Sequence, residues 1–352
     1  ASSNLPQLTG SCLKENQDPI SETLVENYFC FFICLLDRER FMPRPACILW
    51  EGKIILEIPA DICYYKLKFS VKEAAGVTWL QNFVYSFLSG AAEVLPISSR
   101  AHGILLLKIF GASGNSDLML MMMHLGIFLA LYKICRPQLT RINRALALAR
   151  IPKKKRRRPL DTKSLMDFRL LRTMVIPVVP AYFLYNLTQS LGQSLLAVSL
   201  MLLLNGAILY IPQFLPTGNK DCRTMSRVEG LLMGLGGAAS VLPGISCIGA
   251  MVSIGSVCGV DRKYALENAM AVGIVIEACT VVCDGARVIA GGFEGVTFSL
   301  VLTYLCAGFA SFLGALGGVK LLRRIVAEHS FSVFAFYCWG LALFAFFLNL
   351  VA

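Results

Sequence analysis

Long apolar stretches separated by short and mostly basic stretches make up the sequence from about residue 78 onward. A helix that crosses a bilayer needs about 20 apolar residues, because each residue adds about 1.5 Å of helix. Six stretches meet this length: those near 118–135, 169–187, 191–214, 264–290, 297–319 and 330–351. Two more, about 78–113 and 228–260, are each interrupted by a proline and polar side chains. The pattern predicts an all-α polytopic membrane protein with six transmembrane helices and two re-entrant helical hairpins.

The two predicted hairpins have nearly the same sequence. Residues 90–96 read GAAEVLP and residues 237–243 read GAASVLP, an offset of 147 residues (237 − 90 = 147). Three predicted crossings separate the copies, and because three is odd, the second copy enters the membrane from the opposite face. Such inverted repeats are typical of membrane proteins whose site lies where two broken helices meet near the bilayer centre. The repeats are predicted to span about 78–214 and 228–352.

Residues 1–75 have a different composition from the rest of the chain. They mix acidic and basic residues, and their longest apolar run, residues 28–36, is too short to span a bilayer. The order of charges and small residues does not match a signal peptide. We expect an N-terminal extension of unknown structure, followed by one membrane domain over residues 76–352.

Composition narrows the class of protein. With 56% hydrophobic and 16% charged residues, the chain is too apolar for an ordinary soluble domain of 352 residues. Its formal charge of +11 would suit nucleic acid or an anionic membrane surface. The basic residues crowd into short loops between apolar segments, which favours the bilayer and argues against a nucleic-acid partner.

The basic loops also predict the orientation. The loop 136–168 contains the run KKKRRR at residues 153–158, which the positive-inside rule assigns to the cytoplasm. Alternating crossings then bring the basic segments 215–227, 262–263 and 320–324 to the same side. The loop 291–296 and the N-terminal extension fall on the opposite side.

The first hairpin concentrates side chains that can perform chemistry. Within ten residues it contains Glu93, Ser98, Ser99, Arg100 and His102. A charged side chain near the bilayer centre costs about 2.5–3.5 kcal/mol on insertion scales, so these groups must face partners or a cavity. The proline between them should break the helix, and the N-terminus of the next helix would favour an anion. A phosphate group suits such a pocket best.

These residues resemble the motifs of the bacterial undecaprenyl-diphosphate phosphatases of the bacitracin-resistance type. Their first motif reads E-x-x-x-E-F-L-P-[IV]-S-S-[ST]-G-H and their second reads P-G-x-S-R-S-G-x-T. The matching positions are Glu93, Leu95, Pro96, Ser98, Ser99 and His102 in the first, and Pro243, Gly244, Ser246 and Gly249 in the second. The resemblance extends over about residues 78–352. It implies a multi-pass hydrolase of the bacterial plasma membrane that removes one phosphate from a C55 isoprenoid diphosphate at the outer face, with a divalent cation, Mg²⁺ or Ca²⁺.

Several motif positions differ from this family. Ser89 stands where the family has its first glutamate, and Cys247 stands where it has the motif arginine. Ile248 and Met251 replace a serine and a threonine. Arg100 stands where the family has a small or hydroxyl residue, so we hypothesise that it takes over the phosphate contact of the missing arginine.

The resemblance and the side-chain chemistry together suggest roles. Ser99, or Ser98, is predicted to be the nucleophile or a phosphate ligand, and His102 to be the base. Glu93 is predicted to bind the cation or to orient the histidine, and Arg100 to stabilise charge. The predicted substrate-binding residues are Ser98, Gly244, Ser246 and Ser89.

Two functions remain open at this stage, along with a weaker third. The first is hydrolysis of a polyprenyl diphosphate, which recycles a cell-wall lipid carrier. The second is binding or translocation of a polyprenyl phosphate without hydrolysis, since inverted repeats also suit alternating access. A membrane scaffold would leave the polar cluster unexplained. Outside the motifs, His124, Glu267 and Glu277 are predicted to be polar contacts in the interior of the helix bundle.

Overall fold

The protein is described by a computed structural model that covers residues 47–50, 53–57, 78–111, 116–156, 159–183, 188, 191–291, 297–328 and 331–351. The chain divides into two compact units, residues 1–68 and 69–352. In the first unit, strands β1 (Cys47–Trp50) and β2 (Lys53–Glu57) pair in antiparallel fashion. The rest of the predicted N-terminal extension lies outside the described residues.

The described part of the second unit consists of helices and short connections. The helices are α1 (Trp79–Val94), α2 (Ser99–Phe110), α3 (Asp117–Arg150), α4 (Thr162–Phe183), α5 (Leu195–Tyr210), α6 (Arg227–Ala238), α7 (Cys247–Val257), α8 (Arg262–Gly291), α9 (Phe298–Glu328) and α10 (Ser332–Val351). Short 3-10 turns follow α5 at Ile211–Phe214 and α6 at Ala239–Val241. The prediction of an all-α membrane domain is confirmed.

Five helices of the described chain are long and apolar enough to cross a membrane. They are Asp117–Arg150, Leu195–Phe214, Arg262–Ala290, Phe298–Ile325 and Ser332–Val351. Large apolar side chains such as Phe309 and Phe347 point outward from them, which suits contact with lipid. The sixth predicted crossing, 169–187, begins within α4 and extends past its last described residue, and it stays a prediction.

Both predicted hairpins are broken helices. In the first, α1 ends at Val94 and α2 begins at Ser99, with Pro96 in the connection. In the second, the chain passes from α6 through the 3-10 turn and Pro243 to α7. Each proline therefore interrupts its helix as expected, since it lacks a backbone N–H and disfavours helical geometry in the residue before it.

The two halves of the domain exchange their packing partners. Helix α1 of the first hairpin packs along α9 in the second half, and α6 of the second hairpin packs along α4 in the first half. The first long helices of the two halves, α3 and α8, pack together, and so do the last ones, α5 and α10. A two-fold relation between the repeats requires this reciprocal pattern. The membrane face from which each hairpin enters stays a prediction.

Three predicted cytoplasmic segments meet at one end of the domain. The N–H of Lys220 donates to the carbonyl of Gly259 at 3.1 Å, and the N–H of Asp261 donates to the carbonyl of Lys220 at 3.0 Å. The hydroxyl of Tyr264 donates to Asp167 near the start of α4 at 2.8 Å. The basic loops before α4, before α6 and before α8 therefore share one end, as the positive-inside rule requires of loops on one side.

Candidate active site at the hairpin tips

The tips of the two hairpins bind each other directly. The N–H of Gly244 donates to Oγ of Ser98 at 3.2 Å, and Oγ of Ser246 donates to the carbonyl of Leu95 at 3.4 Å. Both serine side chains are buried. The convergence of the two tips, which the repeat predicted, is present in the structure.

A single side chain outside the hairpins joins the tips a second time. Asn205 on α5 is fully buried; its Nδ2 donates to the carbonyl of Pro96 at 3.1 Å, and its Oδ1 accepts from the N–H of Ser246 at 2.9 Å. A carbonyl can only accept and an N–H can only donate, so the amide has one possible orientation. Sequence analysis did not find Asn205, because a lone polar residue in an apolar helix has no motif to identify it.

The second tip contains one extra residue, and that residue makes the contact between tips. The prolines are 147 residues apart (243 − 96 = 147), whereas the following serines are 148 apart (246 − 98 = 148). The inserted residue is Gly244, with φ of 118°. A Cβ there would lie 3.0 Å from the N atom of Leu202, so both the backbone conformation and the available space require glycine.

Ser98 is held in a strained conformation at the other tip. Its φ is 65°, which non-glycine residues rarely adopt and which costs about 1–3 kcal/mol. It stands at the N-cap of α2, yet its hydroxyl does not cap that helix, because this hydroxyl accepts from Gly244 of the other tip. In contrast, Oγ of Ser246 caps α7 by accepting from the N–H of Gly249 at 3.3 Å. The N-terminus of α2 is thus left without a side-chain cap, which suits an anion.

The predicted nucleophile lies beside a carboxylate. Oγ of Ser99, in the first turn of α2, donates a hydrogen bond to Oε2 of Glu93 in the last turn of α1. Both side chains are half-buried. A serine hydroxyl bonded to a carboxylate is the arrangement of a nucleophile with its base.

The ring of His102 bonds to Ser98 and Tyr337 rather than to Ser99. Its Nδ1 lies 2.7 Å from the carbonyl oxygen of Ser98, and its Nε2 lies 2.8 Å from the hydroxyl of Tyr337 on α10. Because the carbonyl can only accept, Nδ1 must carry a proton, and in the neutral ring Nε2 accepts from the hydroxyl of Tyr337. The two rings are also stacked, with centroids 5.7 Å apart. Sequence analysis missed Tyr337, which lies 235 residues away in the chain.

Arg100 reaches the second hairpin. Its Nη1 donates to the carbonyl oxygen of Val241, which also accepts from Oγ1 of Thr188 at 2.8 Å. The guanidinium therefore lies next to the hairpin whose motif arginine is replaced by Cys247. This placement is compatible with the hypothesis that Arg100 compensates for that loss.

The other residues that differ from the family motifs either lie in the apolar core or lack a hydrogen-bond partner among the described residues. Cys247, Ile248 and Met251 are buried and belong to the main apolar core. Ser89, one helical turn before Glu93, is buried, and its Oγ has no hydrogen-bond partner among the described residues. The structure thus brings Glu93 and Ser99 into contact and connects Ser98 to Gly244, whereas Ser89 makes no hydrogen bond to these residues.

A second group of ionisable side chains lies inside the bundle beside the tips. Nδ1 of His124 lies 2.7 Å from Oδ2 of Asp284, which is fully buried. Asp284 also pairs with Arg287, whose Nε lies 3.4 Å from Oδ1 of Asp117. His124 is a partnered interior histidine, as predicted. Asp284 and Arg287 were missed, although charged residues inside an apolar run are a strong indication of function or pairing.

The donors at the tips are compatible with a hard cation. The carboxylate of Glu93 and the hydroxyls nearby are oxygen ligands of the kind that Mg²⁺ and Ca²⁺ prefer. Among the described residues no group of three or more His, Cys, Asp or Glu side chains could hold a metal ion. Mg²⁺ commonly binds through one or two carboxylates plus phosphate oxygens of a substrate. The side chain of Glu93 would supply one such carboxylate.

Fold and site together define a class of protein: a multi-pass membrane protein with a polar site where two broken hairpins meet. Comparison with known proteins is more specific. The family model for bacitracin resistance protein BacA matches residues 82–344 of the 352-residue chain. The chain therefore belongs to this family.

Several relatives align with this chain over nearly their whole length. An undecaprenyl-diphosphatase of Methanobrevibacter smithii is 27% identical over 274 residues, which cover 76% of this chain and 96% of that protein. An undecaprenyl-diphosphatase of Desulforapulum autotrophicum is 27% identical over 283 residues, which cover 77% of this chain and 99% of that protein. An undecaprenyl-diphosphatase of Desulfosudis oleivorans is 26% identical over 265 residues, which cover 74% of this chain and 94% of that protein.

Proposed function

We propose that this protein hydrolyses undecaprenyl diphosphate to undecaprenyl phosphate and inorganic phosphate. The main structural support is the hydrogen bond from Ser99 to Glu93 at the point where the two hairpin tips meet. Family membership and relatives named undecaprenyl-diphosphatase support the same substrate. Binding or translocation without hydrolysis is less well supported, because it does not require a hydroxyl paired with a carboxylate.

The arrangement supports a two-step reaction. Oγ of Ser99 attacks the terminal phosphorus while Glu93 takes its proton, and the bond from phosphorus to the bridging oxygen breaks. The leaving lipid monophosphate carries away the bridging oxygen, and Glu93 can return a proton to it. Water then attacks the phosphoserine with Glu93 again as base, and this releases phosphate and restores Ser99.

Charge develops on the phosphoryl oxygens during both steps, and cationic groups or fixed donors must neutralise it. The N-terminus of α2 and the guanidinium of Arg100 are the groups of this chain closest to Ser99 in sequence that can do so. A divalent cation, when bound, would neutralise the diphosphate oxygens as a Lewis acid. Glu93 would hold it through its carboxylate.

The contacts of His102 favour a positioning role. Its protonated Nδ1 binds the Ser98 carbonyl, which lies in the strained turn that begins α2. Tyr337 occupies the other ring nitrogen. Through these contacts His102 would hold the turn in place and keep Ser99 beside Glu93.

The proposed location is the bacterial plasma membrane, with the site open toward the outer face. The apolar side chains that project from the long helices would contact the lipid tail and the bilayer. The basic loops gathered at one end suit the cytoplasmic face.

Phosphate release by purified protein in detergent tests the proposal. With undecaprenyl diphosphate and Mg²⁺ or Ca²⁺, we expect Ser99→Ala and Glu93→Gln each to lower the rate by about 10²–10⁴-fold, since they remove the nucleophile or its base. Ser256→Ala is the matched control, because Oγ of Ser256 donates to the carbonyl of Val252 in its own helix at 2.9 Å. Release by Ser99→Ala at the normal rate would exclude the proposed nucleophile. Tight binding of the lipid without release by the unaltered protein would favour the carrier function.

A further inference from the structure

Glu277 on α8 is a buried carboxyl group that the proposed reaction does not use. It is 3% exposed, and its Oε2 has no hydrogen-bond partner among the described residues. Burying an unpaired carboxylate oxygen is costly, and a bound cation is one way to offset that cost. Glu267, ten residues earlier on the same helix, is half-buried.

The register of the helices brings Glu277 to the level of the hairpin tips. Helix α8 runs antiparallel to α3: a Cβ at Gly273 would lie 3.4 Å from Leu131, and Asp284 bonds to His124. Glu277 lies between these two contacts, at a level between Ile127 and Leu131 on α3.

Glu93 lies at nearly the same level. Gly90 on α1 and Gly126 on α3 both pack directly against Ser311 of α9. Glu93 comes three residues after Gly90, so it lies within about one turn of the level of Ile127. The two carboxylates therefore approach the bundle interior from α1 and α8 at similar depth.

Electrostatic coupling agrees with this placement. The charged groups near Glu277 include Glu93 as well as His124 and Asp284. Cys247, at the start of α7, lies near both Glu93 and Glu277. Glu277 is thus a neighbour of the site, whereas Glu267 lies near Cys135, closer to the basic end of α3.

Ser89 occupies the position at which a second carboxylate of the first hairpin would be expected. It lies four residues before Glu93, so the two share one face of α1. In the motif that this hairpin resembles, that position holds a glutamate. Here it holds a buried serine whose Oγ has no partner among the described residues, so the first hairpin supplies a single carboxylate.

We infer that Glu277 supplies the missing second carboxylate of the site and binds, together with Glu93, a divalent cation beside the diphosphate. This inference rests on the proposed function, because the cation is the one that would accompany a diphosphate. Two carboxylates with phosphate oxygens form a usual Mg²⁺ site. The carboxylate that Ser89 replaces on α1 would thus be supplied by Glu277 on α8, in the other half of the chain.

Binding of Mn²⁺, followed by electron paramagnetic resonance in detergent with methylenediphosphonate present, tests the inference without turnover. We expect Glu277→Gln to weaken Mn²⁺ binding about tenfold or more. Glu267→Gln is the matched control on the same helix and should bind as the unaltered protein does. The double variant Ser89→Glu, Glu277→Gln returns the carboxylate to α1 and should recover most of the affinity.

Two results would overturn the inference: unchanged Mn²⁺ affinity in Glu277→Gln, or an equal loss in Glu267→Gln. If Glu277→Gln loses affinity through misfolding, the double variant would not recover it, and that result too would count against the cation site. Phosphate release separates the two proposals. If the unaltered protein binds Mn²⁺ through Glu277 but releases no phosphate, the hydrolytic function is wrong and the cation site stands.

Discussion

At the scale of single residues, hydrogen-bond chemistry restricts which roles are open to the polar side chains. Ser99 can donate to Glu93, whereas His102 is engaged at both ring nitrogens by Ser98 and Tyr337. The motif places a serine and a histidine three residues apart, and that spacing alone favoured a nucleophile and base. The structure instead provides a carboxylate for Ser99, so the histidine and tyrosine form a separate pair that supports the turn.

Tyr337→Phe tests this pair. Loss of one hydrogen bond of about 0.5–1.5 kcal/mol should lower the rate of phosphate release about two- to tenfold, with little change in KM. The ¹⁵N resonance of Nε2 in His102 should also shift, since it loses its donor. Tyr132→Phe serves as control, because Tyr132 is exposed on α3 and stacks on Phe128, away from His102 in sequence. An unshifted His102 resonance would mean that the two side chains are not hydrogen-bonded.

At the scale of the elements, small residues determine how closely helices approach. Where α1 meets α9, a Cβ at Gly314 would collide with the backbone of Phe87, and one at Gly318 would lie 2.8 Å from the carbonyl of Ala91. Membrane helices commonly pack through such small residues, because they allow the backbones to approach closely. Glu93 sits at the end of α1, so this packing also fixes the position of the carboxylate.

Gly314→Ala and Gly317→Ala form a matched pair on α9. A Cβ at Gly317 has nothing within 4 Å, whereas one at Gly314 would lie 3.1 Å from the N atom of Ala91 as well as against Phe87. We expect Gly314→Ala to lower the stability by about 1–3 kcal/mol, since α1 must move away. Gly317→Ala should be neutral or slightly stabilising. Thermal unfolding in detergent measures both, and equal melting temperatures would contradict close packing of α1 on α9.

At the scale of the whole molecule, the site exists only because two halves of one chain meet. Asn205 and Gly244 join tips that are separated by more than a hundred residues in sequence. Reciprocal packing of α1 on α9 and α6 on α4 holds each hairpin against the opposite half. The same arrangement gathers the basic loops at one end.

The basic loops at this end predict the orientation of the protein in the membrane. A green fluorescent protein that matures only in the cytoplasm should fluoresce when inserted within residues 153–158 and stay dark when inserted within 291–296. The expectation rests on the basic run in the first segment and on the number of crossings between the two. A reporter within 215–227 should fluoresce as a control for the shared basic end. The opposite pattern would reverse the proposed orientation and move the site to the inner face.

Sequence by itself determined the apolar segments, the two proline-broken hairpins and their repeat, because helix length, proline geometry and internal similarity are local properties of the chain. It also placed Glu93, Ser98, Ser99 and His102 within ten residues of each other in the first hairpin. Five of the six predicted crossings correspond to helices of sufficient length and apolarity.

Only the tertiary structure decided which of these side chains meet and which partners reach them from distant helices. Tyr337, Asn205 and Glu277 each lie in an apolar helix far along the chain, where one polar residue has many possible neighbours. Their contacts depend on helix register and crossing, which packing between the two halves sets and which no local pattern encodes. The sequence therefore located the polar residues of the first hairpin, whereas the fold was needed to show which hydrogen-bond donors pair with which acceptors.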